Sequence, residues 1–318
     1  MQYQNATAQP REELNDVIIE SVTTDSMFAG IKILPPKPMN LPVGHVPKIL
    51  VSSGNLMRAA RKKRSPGANF DRWQSAISDL TITLVQMAEE ILLPDEQTLI
   101  YEDYFAFETV YASEAANRIR RAHEIECEVA LFDSGTFTAT AATVAYTAAN
   151  IATMDPATDI LAALRRIKAA GESANTIVIP GQVYDRIRLA TLFKNWIAGS
   201  IYPGYTVSED GVQSSFTKSG ITQVVVADSY MNESDEGNSD VINPIWPNTY
   251  IWVGNVQSGE LKAGGVGRTF FWEKEGPIFN IQSYRDETRK SNVIRAIKTT
   301  LAAITNSRAG QLITTNYA

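Results

Sequence analysis

Residues 159–180 read DILAALRRIKAAGESANTIVIP: a helical pattern, a glycine stop, a short apolar run and a proline. Ile160, Leu164 and Ile167 recur on one helical face. Asp159 suits the positive amino-terminal end of such a helix and Gly171 its stop. NTIVIP, 175–180, then reads as a short buried strand. The following GQVYDRIRLATLFKNWI, 181–197, predicts a second helix from near Gln182, with Val183, Ile187 and Leu192 or Phe193 facing inward. Helix–strand–helix units occur in nucleotide-binding enzymes, where a glycine-rich turn between strand and helix offers bare N–H groups to phosphate. The turn here is Pro180-Gly181-Gln182, with one glycine and no following Lys-Ser/Thr. A second glycine cluster, Gly264-Gly265-Val266-Gly267, lies between the strand-like runs YIWVGN and FFWE, so it predicts a turn or bulge. The unit is expected to be a helix and central strand of a structural core, with Ile160, Leu164, Ile167, Ile177 and Ile179 inside.

At 318 residues and 35.0 kDa the chain has room for about two domains. Hydrophobic residues at 44% and charged residues at 20% are ordinary for a folded protein. A net charge of −6 and a pI near 5.2 argue against a surface that grips nucleic acid everywhere, while leaving local contact open. The opening MQYQNATAQPREELND has no apolar core, and no run of uncharged apolar residues is long enough to span a bilayer. The expectation is a soluble chain that stays in the cytoplasm where it is made. Cys127 is the single cysteine, and with only His45 and His123 it cannot assemble a zinc site of the usual Cys/His kind. His123 lies on the same helix face as Cys127, so a Cys-His pair is conceivable. Glu124, Glu126 and Glu128 would raise the thiol pKa, which favours an inert buried thiol.

Residues 1–50 read as extended and irregular, because five prolines fall between Pro35 and Pro47. No helix is expected there, and such an arm is clamped in a groove or laid across a neighbour. Arg58, Arg61, Lys62, Lys63 and Arg64 then cluster before Ser65-Pro66-Gly67. The readings are a nucleic-acid or phosphate patch, a nuclear localisation signal, a solvated loop, or an intersubunit ion-pair site. Without interleaved aromatics, in an acidic chain, a solvated loop or a carboxylate partner on a neighbour is favoured.

Residues 71–93 place Trp73, Ile77, Leu80, Leu84, Met87 and Ile91 at helical spacing and predict a helix ending at Pro94. From Asp95 to Phe132 there is neither glycine nor proline, and Tyr104, Phe107, Tyr111, Ala115, Ile125 and Val129 keep helical steps. One helix over Glu102–Leu131 would be about 45 Å long. Its aromatic stripe reads as core packing before it reads as a ligand pocket. A short strand in FTATAATVAY follows, then the opening unit, then the strand ITQVVVADSYM. NESDEGNSDVINPIWPN reads as an acidic surface loop. Asp235, Glu236 and Asp240 within it do not keep the order of a calcium loop. Strand patterns dominate from Thr249, so the chain is α+β without internal repeats.

NTIVIPGQVYDRIR after a helix, a long glycine-free helix upstream, and the closing SNVIRAIKTTLAAITNSRAGQLIT together resemble the major capsid proteins of tailed bacteriophages, the Hong Kong 97-fold family. The resemblance implies an α+β capsid fold. In it, 1–48 is an N-terminal arm, 49–98 the E-loop region, 99–144 a peripheral domain with its spine helix, 145–268 an axial domain, and 269–318 a return to the peripheral domain. The expected helix at 73–93 departs from that pattern. By the resemblance the chain is no enzyme and holds no cofactor or metal; it self-assembles as hexamers and pentamers into an icosahedral shell enclosing viral double-stranded DNA. Its partners would be copies of itself, together with scaffolding, portal and decoration proteins, and packaged DNA by weak non-specific contact, with no membrane. It would be assembled in the host cytoplasm and reside in the virion capsid. Because the arm begins almost at Met1, a separate scaffolding protein is expected if one is needed. Lys62 and Lys63 lie where some members form a lysine–asparagine crosslink, but no partner or supporting carboxylate is evident, so covalent linkage is not expected. The expected interfaces are the arm, Arg58, Arg61, Lys62, Lys63 and Arg64, then Arg165, Arg166 and Lys168, and the acidic loop at Asp235 and Glu236. The competing readings are an encapsulin-like compartment and a two-domain α/β enzyme using Asp185 or Glu102, and nothing pairs those carboxylates with a base, metal or phosphate loop.

Overall fold

The computed structural model describes residues 27–50, 63, 65–67, 69, 76–101, 107–198, 208–235 and 237–317. The first half comprises α1 (Gly30–Ile33), β1 (Pro36–Met39), β2 (Val43–Leu50), β3 (Ala76–Thr83), β4 (Val85–Pro94), α2 (Asp95–Tyr101), α3 (Phe107–Leu131) and β5 (Ala139–Ala141). The opening stretch then supplies α4 (Pro156–Ala169) and β6 (Thr176–Pro180), followed by α5 (Gly181–Leu189), α6 (Thr191–Ala198) and α7 (Glu209–Phe216). β7 (Gln223–Ala227), β8 (Tyr230–Asn232), β9 (Ile242–Pro244), β10 (Tyr250–Gly254), β11 (Gly267–Trp272), β12 (Asn280–Asp286), β13 (Ser291–Ile304) and β14 (Gly310–Thr314) complete it.

Two five-stranded sheets carry the architecture. The first is built on β13. β4 runs antiparallel along one side of it, from Ser291 opposite Pro94 to Thr300 opposite Val85. β12 and then β11 run along its other side, and β1 adds in parallel outside β11. Pro36 and Pro38 are tolerated because β1 is an edge strand, where a missing N–H breaks no ladder. α3 crosses this sheet, burying Ala115 and Ile119 against Leu93, Ile294 and Ala296.

The second sheet has the order β5-β14-β10-β6-β7. β6 is buried at all five positions, between antiparallel β10 and parallel β7. Ile160, Leu164 and Ile167 of α4 pack with Ile177 and Ile179 in one core, as their spacing predicts. Asp155 caps α4 by accepting from the Thr158 N–H, Pro156 opens the helix, and Gly171 takes φ 90° after it. Asp159 does more than face a helix dipole. It is buried and accepts from Thr143 N at 2.9 Å, Thr143 Oγ1 at 2.5 Å and Tyr146 Oη at 3.0 Å, pinning the 143–146 segment onto α4.

Several expectations are corrected. The described part of 71–93 is not helical: β3 pairs with β2 as an eight-pair antiparallel ribbon, Val43 opposite Thr83 through Leu50 opposite Ala76. Leu80, Ile82 and Leu84 turn inward while Asp79, Thr81 and Thr83 face out, a period of two that the coincident helical spacing conceals. Thr and Ile also favour the pleated strand. Within 27–50, a single helical turn and two strands replace an irregular arm. The long helix is described over 25 residues from Phe107, about 37 Å, and α2 precedes it; the expected start at Glu102 lies outside the described residues. The helix expected over 182–197 divides at Ala190, whose ψ of 123° leaves the helical region. Within 269–318, β12 and β13 pair in the first sheet and β14 joins β10 and β5 in the second.

Candidate assembly interface

A buried polar junction is centred on Glu124 of α3. Its carboxylate is 1% exposed and accepts from the N–H groups of Ala29 and Gly30, at 2.8 and 2.7 Å, and from Trp246 Nε1 at 2.6 Å. One side chain thus ties α1, the spine helix and the segment entering β10 together. Gly30 permits the approach, because a Cβ there would lie 2.8 Å from Glu124 Oε2 and 2.9 Å from Cys127 Sγ. Two residues along α3, the buried Lys298 ammonium of β13 lies 2.9 Å from Glu126 Oε1, and His123 Nδ1 lies 3.7 Å from Glu126 Oε2. Burial alone would raise the Glu126 carboxyl, but His123 and Lys298 hold it below its ordinary value. Burial draws Lys298 down against that same partner.

The Cys-His pair exists, with Sγ 3.4 Å from His123 Nε2, in a place closed to solvent. Cys127 is fully buried, and burial together with Glu124 and Glu126 pushes the thiol well above its usual pKa. Among the described residues no group of three or more His, Cys, Asp or Glu could hold a metal ion. No described helix is long and apolar enough to cross a membrane.

The outer surface is apolar in places a lone subunit would leave wet. On the ribbon, Val43, Ile49 and Ile77 are exposed, Ile77 at 67%. Val85 and Met87 are exposed along β4 and Leu92 on its other face, and the outer edge of β4 pairs with no described strand. Leu189, Leu192 and Trp196 are exposed on α5 and α6, and Val241 and Ile242 at the β8–β9 hairpin. Exposed apolar side chains in such groups mark association surfaces.

Of the residues expected at interfaces, Arg165, Arg166 and Lys168 are exposed on one flank of α4 and form no ion pair with any described residue. Lys63 and Asp235 are also exposed. Arg58, Arg61, Lys62, Arg64 and Glu236 lie outside the described residues, as do residues 1–26 of the expected arm. Asp185, weighed as a catalytic carboxylate, forms an exposed ion pair with Arg188 at 3.5 Å, and Glu102 lies outside the described residues. The acidic loop, read as a plain connection, is the tip of the β8–β9 hairpin. The helical spacing of Ile77, Leu80 and Leu84 conceals the ribbon; the alternation Leu80-Thr81-Ile82-Thr83-Leu84 is the signal that finds the strand, and nothing local marks the exposed face that carries Ile77. That the opening stretch makes no phosphate site is consistent with Gly181, where a Cβ would lie 2.3 Å from Asp228 Oδ1, a carboxylate placed where an anion would have to bind.

No family model and no curated protein matches the sequence. Solved structures do match, over nearly the whole chain. A phage-related protein from Bordetella bronchiseptica matches at TM-score 0.65 and 17% identity, covering 92% of this chain and 93% of its own. Microbacterium phage Oxtober96 matches at TM-score 0.60 and 10% identity, with 96% of each chain covered. The SrpI encapsulin complex of Synechococcus elongatus matches at TM-score 0.53 and 11% identity, covering 98% of this chain and 92% of that one. Two sheets joined through a long spine helix, a projecting two-stranded ribbon and whole-length similarity to these structures together give the chain the Hong Kong 97-like capsid fold.

Proposed function

We propose that this chain is a major capsid protein, whose hexamers and pentamers close into an icosahedral shell around double-stranded DNA. The observation that carries this reading is the β2–β3 ribbon, which leaves Val43, Ile49 and Ile77 in water unless another subunit covers them. Many modest contacts of this kind, repeated by symmetry, close a shell. On this reading the ribbon is the E-loop, the first sheet with α3 is the peripheral domain, and the second sheet with α4–α7 is the axial domain. The exposed cations of α4 then face neighbouring subunits, and the shell resides in the virion after assembly in the host cytoplasm. Scaffolding, portal and decoration proteins are its expected partners. A net charge of −6 suits weak contact with packaged DNA, which must later leave.

The match to the encapsulin complex supports a second reading, a compartment around protein cargo. Nuclease treatment of particles recovered from the native source, followed by extraction, separates the two. Protected double-stranded DNA supports the capsid; one co-purifying enzyme without protected DNA supports the compartment.

A further inference from the structure

A groove of about 580 Å³ separates the β2–β3 ribbon from the turns at 261–265 and 305–308. Val46 and Leu80 make its ribbon wall apolar, while Lys48 and Arg308 bring cations to it that no described carboxylate pairs. Lys262, also on the groove, is matched locally by Glu260 at 2.6 Å.

A second observation points into the same groove. Arg268 is 0% exposed, and its guanidinium donates only to main-chain carbonyls, Gly267 at 2.7 Å and Gly264 at 3.0 Å. Its Nε has no hydrogen-bond partner, and no described carboxylate lies within ion-pair distance. Gly264 and Gly265 form the groove wall, and a Cβ on Gly265 would lie 3.0 Å from Arg268 Nη1. The buried charge therefore sits directly beneath that wall. A buried cation without a counter-charge is costly, and an anion seated in the groove offsets the cost.

The matching surface is elsewhere on the same chain. The β8–β9 tip exposes Val241 and Ile242 beside Glu233, Asp235 and Asp240. Asn243 donates to Glu233 and Asn232 to Asp240, both at 2.8 Å, which orders the tip, while the Asp235 carboxylate has no side-chain partner among the described residues. No residue of this hairpin lines the groove of its own chain.

Resting on the shell-subunit reading, we propose that the acidic hairpin tip of one copy seats in the ribbon groove of the next, with Ile242 on the apolar wall and Asp235 towards Arg308. The contact is head-to-tail, so its repetition closes rings. Charge complementarity fixes the partner surface and the register.

The double variant Asp235→Cys with Arg308→Cys, assembled and oxidised, is expected to run on a non-reducing denaturing gel as covalent rings of five and six subunits. Each single variant is expected to stay monomeric, since Cys127 is fully buried. Arg308→Asp is expected to raise the concentration needed for assembly at least about tenfold, and Asp235→Arg in the same chain to restore it. Wild-type shells combined with no intersubunit disulfide in the double variant and unchanged assembly of Arg308→Asp would overturn this contact while leaving the shell reading intact. Arg308→Asp shells that assemble normally but lose packaged DNA would show that the groove holds phosphate, and would overturn it too. A wild-type chain that forms no shell contradicts the earlier reading instead.

Discussion

Replacing Glu124 tests whether one buried carboxylate holds α1, α3 and the segment entering β10 in a single arrangement. The carboxylate satisfies three donors, two from the main chain at Ala29 and Gly30 and one from Trp246. Glu124→Gln keeps the shape but turns an amide N–H₂ towards one of them, losing a charge-assisted bond and leaving a buried donor unmet, together about 3 kcal/mol. Glu124→Ala leaves all three donors unmet and opens a cavity, about 5 kcal/mol after allowing for release of the buried charge. Urea unfolding of unassembled subunits, followed through the fluorescence of buried Trp246, reads this directly. With an m-value of about 3 kcal/mol per molar, the midpoint is expected to fall by about 1 M for glutamine and more for alanine. Gly30→Ala, which drives a Cβ onto the same oxygen, is expected to behave like the glutamine variant. Midpoint shifts below about 0.3 M in both Glu124 variants would refute the reasoning.

Three further outcomes are expected. Ile77→Asp, on the exposed ribbon, should leave the circular dichroism and urea midpoint of the subunit unchanged while abolishing assembly in sedimentation; a variant that assembles normally would remove the ribbon from the interface. Burial raises the Glu128 carboxyl to about 7, so the folded subunit holds a proton that the unfolded chain releases near pH 4.5. The sign follows: its contribution is fully favourable below pH 4.5 and is lost as pH rises through about 7, so Glu128→Gln should flatten the fall in stability across that window. Asp159→Asn should cost about 2 kcal/mol through the lost bonds to Thr143 and Tyr146, measured as a lower urea midpoint of the isolated subunit.

The opening stretch was legible because Ile160, Leu164, Ile167, Ile177 and Ile179 obey the helix and strand periods, and one core receives all five. The long helix was legible for the same reason, since no glycine or proline interrupts it. The ribbon was hidden because Ile77, Leu80, Leu84, Met87 and Ile91 satisfy a helical spacing by coincidence. The half-buried β3 does alternate, from Leu80 through Thr81, Ile82 and Thr83 to Leu84, but that run is short and the helical spacing extends across it from Ile77 to Ile91. The candidate surfaces were only half legible. Charges such as Arg165 and Lys168 stand out in a sequence, whereas the exposure of Ile77 or Ile242 depends on what the remaining chain fails to cover. In the sequence Glu124 stands out only as a neighbour of Cys127; its three donors lie 94 to 122 residues away, and no local pattern announces them.

Electron microscopy of the purified full chain tests the shell reading most directly. Closed icosahedral particles built from clusters of five and six subunits are predicted, with Ile77→Asp yielding none. A uniform small oligomer or a monomer under every assembly condition, including co-expression with scaffolding and portal proteins from the same source, would contradict it.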